Sequence, residues 1–214
     1  MLRRSVLKSF TSGVTLSLVA GGAGAWLADV PTASAQEQPV ATMQSLAAYT
    51  IQTVGNRAFP LATRRQYATQ IIDQRFNTAK LGQLALGTIW RRMNNQQKQA
   101  FLVKFRELMV EDFVWWFSDY DGQSYRVVGA KRDRSDPNTV FVDVEYKRGS
   151  QSVITNWRAE SEGGIYKILD IKVAGLSLLN QLRGEYRSAY SNGGVNQVMR
   201  FMDKHINKRR QQLS

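Results

Sequence analysis

An α+β fold in a single domain is predicted by three features of the chain. Apolar residues recur at intervals of three and four from Val40 to Phe117, the period drops to two between Tyr125 and Val173, and helical spacing returns from Leu176 onward. The period-two region splits into four stretches joined by short turns, which predicts a four-stranded or larger twisted antiparallel meander sheet with helices before and after it.

The elements follow in order. Arg3, Arg4 and Lys8 form a basic opening, Val14 to Ala28 is mostly apolar, and Ala33-Ser34-Ala35 is a small-x-small cleavage site. Together they read as a secretory signal peptide, residues 1–35. The apolar run falls short of the roughly 20 residues a membrane span requires, which argues against an uncleaved anchor. The Arg3-Arg4 pair also suits twin-arginine export. Gln36 to Pro39 is a polar leader, and Met43 to Val54 has the pattern of a first helix. Pro60 and Thr63 mark the start of a second, running towards Phe76 with Tyr67, Ile71 and Ile72 on one side. Leu81, Leu84, Ala85 and Ile89 predict a shorter third helix ending near Trp90.

Asn94 or Asn95 can cap the fourth, in which Phe101, Phe105, Leu108, Met109, Phe113 and Trp116 recur at helical spacing. Leu102, Val103, Val110, Val114, Trp115 and Phe117 are apolar too, so its second half is hydrophobic nearly all round and belongs at the centre of the core or against something apolar. Strands are predicted at Tyr125 to Ala130, Thr139 to Tyr146, Ser152 to Arg158 and Ile165 to Val173. Val140, Val142, Val144 and Tyr146 share one face, opposite Asp143 and Glu145, so one sheet face is apolar and the other wet. Helices over Leu176 to Ala189 and Val195 to about Lys208, parted by Gly193-Gly194, complete the chain.

Removing the first 35 of 214 residues leaves 179, a length that suits one domain with a real core. Three of the 29 Lys and Arg and one of the 17 Asp and Glu lie in that leader, so the remainder carries a formal charge of +10. Cysteine is absent, which removes thiol chemistry, disulfides and cysteine metal sites.

The usual equipment of catalysis is missing. His205 is the only histidine and reads as a solvated residue of a basic helix, so no metal site is expected. The glycine pairs Gly163-Gly164 and Gly193-Gly194 read as turns, not as a phosphate cradle. Glu107, Glu111 and Asp112 fit the exposed flank of an amphipathic helix as well as they fit acid–base work. No enzymatic activity and no cofactor are expected. The basic residues match no nucleic-acid motif, and a surface favouring anionic membranes or acidic proteins accounts for them. What remains is the aromatic excess of Trp90, Trp115, Trp116, Trp157, Phe101, Phe105, Phe113 and Phe117, which composition allows as plain core or as the lining of an apolar cavity.

Several stretches in their order resemble the toluene-tolerance, or MlaC, family of periplasmic lipid carriers. They are Arg75-Phe76 ahead of Leu86-Gly87 and Trp90; Phe101 and Phe105; Tyr166-Lys167-Ile168-Leu169-Asp170-Ile171 followed by Val173-Ala174-Gly175-Leu176-Ser177-Leu178; and Arg183 with Tyr186 before Gly193-Gly194. Ala174-Gly175 stands where the family usually has Glu-Gly, and Tyr166 where tryptophan is frequent. The resemblance implies a pocket for phospholipid acyl chains with the head group outside, and exchange with an inner-membrane ABC transporter complex and an outer-membrane lipoprotein complex. A hopanoid-associated branch, HpnM, would change the ligand to a polycyclic lipid. The alternative of another class is an exported protein-binding domain whose aromatics are only core.

A carrier must hide acyl chains in water at about 0.8 kcal/mol per methylene, so two tails need a dry pocket worth roughly 20 kcal/mol gross. The all-round apolar helix and the apolar sheet face are the elements able to build one. The expected lipid contacts are Phe105, Met109, Phe113 and Trp116 from the helix and Val142, Val144, Trp157 and Ile168 from the strands. Ile168 and Leu169 point oppositely in a regular strand, which leaves the register of the last strand open. Lys172 and Arg183 are nominated for the head group, Arg183 being equally suited to an ion pair with Asp170. A monomer is expected.

Overall fold

The computed structural model describes residues 38–214, so the expected signal peptide lies outside the described residues. Helix α1, Pro39–Thr53, begins earlier than its apolar periodicity because Pro39 sits in the first turn, where a missing N–H costs nothing. Helix α2 spans Leu61–Arg75. The expected helix from Leu81 to Trp90 is instead two, α3 (Thr78–Leu86) and α4 (Thr88–Arg92). Gly87 between them has φ +56° and ψ −120°, a positive-φ conformation that breaks the helix and that glycine adopts without a Cβ penalty.

Helix α5, Asn95–Phe117, opens on a capping box. The Asn94 side chain accepts from the Gln97 N–H at 2.8 Å, and the Gln97 side chain accepts from the Asn94 N–H at 3.0 Å, satisfying two of the helix's orphan donors.

The sheet has five strands in the order of the chain: β1 (Ser124–Arg132), β2 (Thr139–Arg148), β3 (Gln151–Glu162), β4 (Ile165–Val173) and the short β5 (Leu176–Ser177). All neighbours are antiparallel, as the short connections predict. Gly163 and Gly164, with φ +60° and +88°, join β3 to β4 in the tight turn whose twist suits a hairpin. Helices α6 (Leu178–Ser191) and α7 (Gly194–Leu213) complete the fold. Ser177 caps α6, its side chain accepting from the Asn180 N–H, which shifts the helix start two residues beyond the expected Leu176.

One sheet face is covered. Val140, Val142 and Val144 of β2, with Ala159 of β3 and Ile168 of β4, are all at most 2% exposed, and α1 lies over β1 and β2. On the other face Asn156 donates to Asp143 at 2.7 Å and Arg126 to Glu145 at 3.0 Å. Helix α5 is the centre of the helical layer, packed by α2, α3 and α7. In β4 the register slips: Arg158 of β3 faces Asp170 while Ala159 faces Ile168, leaving Leu169 as an unpaired extra residue. This bulge turns both Ile168 and Leu169 inward, at 1% and 0% exposure, where strict alternation would put one of them outside.

A candidate lipid cavity and its charged rim

Between β4 and the helices lies a cavity of about 750 Å³, in the upper part of the roughly 300–1,000 Å³ range of small-ligand sites. Its deep wall is apolar. Ile72 and Phe76 come from α2 and its end, Leu81 from α3, and Phe105, Leu108, Met109, Phe113, Trp115 and Trp116 from α5. Ile168 and Ile171 of β4, Leu178, Leu179 and Leu182 of α6 and Phe201 of α7 close the remaining sides. Phe76 makes a bridge to Ile168 and meets Phe113 edge-on at 6.1 Å between ring centroids, which joins the end of α2 to β4 and α5.

The aromatic residues divide between the two roles that composition allowed. Phe101 stacks on Phe105 at 5.5 Å, meets Tyr186 edge-on at 5.8 Å and approaches Trp90 at 6.4 Å. It is fully buried core, whereas Phe105, Phe113, Trp115 and Trp116 face the cavity. Burial pushes the Tyr186 phenol well above its ordinary pKa, with Asp112 and Glu185 adding to the shift.

Five of the eight expected contact residues line the cavity: Phe105, Met109, Phe113, Trp116 and Ile168. Val142, Val144 and Trp157 do not. Val142 and Val144 are spent in packing beneath the helical layer, at 0% and 2% exposure. The Trp157 indole N–H donates to Thr155 Oγ1 at 2.8 Å within its own strand. The empty volume borders β4, not the middle of the sheet, because α1 already fills the space over β1 and β2.

The two head-group nominations are also displaced. Lys172 is exposed on β4 and Arg183 donates to the Leu84 carbonyl at 3.0 Å, tying α6 to α3; neither lines the cavity. The alternative pairing of Arg183 with Asp170 is not formed either. Asp170 accepts instead from the Ser177 hydroxyl at 2.7 Å and the Leu179 N–H at 3.1 Å, an acidic side chain placed at the positive end of α6.

The polar rim comes from α7, where Lys204, His205, Lys208, Arg209 and Gln212 line the cavity beside Asp112 of α5 and Gln181 and Glu185 of α6. His205 is therefore not a solvated surface residue. Its Nε2 lies 3.0 Å from Asp112 Oδ1, and Arg209 Nε donates to the same oxygen at 2.5 Å. The Arg209 guanidinium stands 3.6 Å from the Trp115 ring centroid, a cation–π contact that holds it against the lining. Helical spacing from Phe201 through Lys204, His205, Lys208 and Gln212 was the available signal for this wall, but its polarity reads as a solvated face.

Glu111, one turn from the cavity residue Leu108, is buried and not on an exposed flank. Arg65 of α2 reaches its Oε2 through Nε at 3.1 Å and Nη2 at 3.0 Å, and Arg210 of α7 reaches its Oε1 at 3.0 Å. Arg210 also pairs with Glu107, and these bonds, Glu111 first, raise its pKa. The clamp holds three cavity walls together. Among the described residues no group of three or more acidic or histidine side chains could hold a metal ion, and no helix is long and apolar enough to cross a membrane.

Comparison with known proteins places this geometry. The model of the MlaC protein family matches residues 44–204, a span that includes every strand and all but the last turns of α7. The solved structure of a phospholipid-binding protein from Ralstonia solanacearum, in complex with a phospholipid, superposes with a TM-score of 0.66 at 20% sequence identity. The match covers 81% of this chain and 99% of that one; at this identity the likeness is one of fold.

Proposed function

The chain belongs to the MlaC family, and from that premise we propose that it is a non-enzymatic carrier that binds the acyl chains of a phospholipid in the cavity beside β4. The observation that carries the reading is the cavity itself: about 750 Å³, walled by aromatic and aliphatic side chains from six elements and edged on one side by charge. An enzyme's pocket converges polar groups on a reacting atom; here they stand at the rim, where a head group meets water. The fold shared with a protein solved in complex with a phospholipid supports the same ligand class.

The carrier works in the periplasm after removal of residues 1–35. It takes up and delivers lipid at an inner-membrane ABC transporter complex and an outer-membrane lipoprotein complex, acting as a monomer. Family membership and the signal-like leader support this placement. Having no energy source, the carrier has no preferred direction; its partners set it.

The test is uptake of a phospholipid with a fluorescent acyl chain by stripped, refolded protein, comparing the native chain with Met109→Trp. Saturable, stoichiometric uptake that the folded variant loses is the expected result. Equal uptake by both would remove this cavity as the binding site.

A further inference from the structure

The rim of the cavity carries two cations that the fold does not use. Helix α7 has its basic residues on two sides: Arg209 and Arg210 are ion-paired with Asp112 and with Glu107 and Glu111. Lys204 and Lys208 line the cavity and, among the described residues, have no carboxylate within 4 Å. The acidic side chains around the same rim are engaged. Asp112 is held by His205 and Arg209, Asp170 by Ser177 and the Leu179 N–H, and Glu185 by the Gln181 amide at 3.0 Å. Asp203, next to Lys204 in sequence, pairs across to Lys104 of α5.

Four residues apart, Lys204 and Lys208 stand one above the other on one helix face, about 5–6 Å apart at Cβ. Two flexible ammonium groups at that spacing, above an apolar cavity, suit the oxygens of a phosphodiester whose tails point inward.

Resting on the carrier reading, we propose that Lys204 and Lys208 are the phosphate anchor of the bound lipid, so that the protein selects lipids bearing a phosphodiester over neutral lipids with the same tails. The anchor lies on α7, whose Lys204 and Lys208 line the cavity, and not at Lys172 or Arg183.

The experiment is competition against a tail-labelled phospholipid by dioleoylphosphatidylglycerol, dioleoylphosphatidylcholine and dioleoylglycerol, at 0.15 M salt. It compares native protein, the double variant Lys204→Ala/Lys208→Ala, and Arg91→Ala/Arg92→Ala, which removes the same charge from α4, away from the cavity. Native protein should prefer both phospholipids to dioleoylglycerol by about tenfold or more, the scale of charge-assisted bonds. The α7 variant should lose that preference with dioleoylglycerol binding unchanged, and the α4 variant should keep it. Equal affinity of native protein for all three lipids overturns the anchor and leaves the carrier standing. So does an equal loss in both variants, which would be attraction by net charge alone. Failure of the native protein to bind any of the three overturns anchor and carrier together.

Discussion

Met109 and Val144 both carry apolar side chains, yet the structure gives them different work. Met109 borders empty volume, so Met109→Trp should fill space the tails need and leave the urea midpoint close to native while bound lipid falls. Val144 is 2% exposed in close-packed core, so Val144→Phe should overpack it and cost about 1–3 kcal/mol. Lipid content and urea denaturation on the same two variants check the contrast; lipid loss at full stability in Val144→Phe would move the cavity wall to β2.

Glu145 offers a second residue-scale check. Hydrogen bonds from Arg126 and Ser152, with Lys147 adding, hold its carboxyl down to about 2. A carboxyl depressed in the folded state stabilises the fold above its ordinary value near 4.5 and loses that contribution as pH falls towards 2. Stability of Glu145→Gln, followed by urea midpoints between pH 2 and 5, should fall less steeply with acid than that of the native chain. Parallel curves would mean the carboxyl is not depressed.

At the scale of elements, the bulge in β4 and the clamp on α5 decide the shape of the cavity. Since Leu169 and Ile168 are both buried, Leu169→Ala and Ile168→Ala should each destabilise by about 2 kcal/mol or more. In a regular strand one of them would face water and cost almost nothing, so a near-neutral result for either contradicts the bulge. Glu111→Ala removes the buried carboxylate that Arg65 and Arg210 share and unties α2 from α7. Its cost should be about 2 kcal/mol, below the 3–5 kcal/mol of a fully buried pair because both arginines keep contact with water.

These elements also show what a sequence can disclose. Helix α5 was legible as a cavity wall because no face of its second half could meet water, and its cap was legible because Asn94 precedes the apolar run. The bulge was not. No glycine or proline marks Leu169, and only pairing with β3 reveals the extra residue. The α7 wall was hidden for another reason: Lys204, His205 and Lys208 turn towards a cavity, but at helical spacing they are indistinguishable from a solvated stripe. Val142, Val144 and Trp157 do not line the cavity, because alternation identifies the inward face without saying which part of it another helix already covers.

For the whole molecule, a carried lipid is part of the folded state. A ligand that binds only the native protein stabilises it by about 2.7 kcal/mol at a hundred times its Kd. For a domain of this size that is roughly 5–10 °C in Tm. Stripping the lipid should lower Tm by that order, and adding back phospholipid should restore it, as followed by calorimetry.

The most direct test is native mass spectrometry of the protein purified from its own envelope without detergent, followed by solvent extraction and lipid mass analysis. The expected result is a stoichiometric phospholipid on a monomer that begins near Gln36. An empty protein that also takes up no added phospholipid would contradict it, and a hopanoid in its place would contradict the ligand while keeping the carrier.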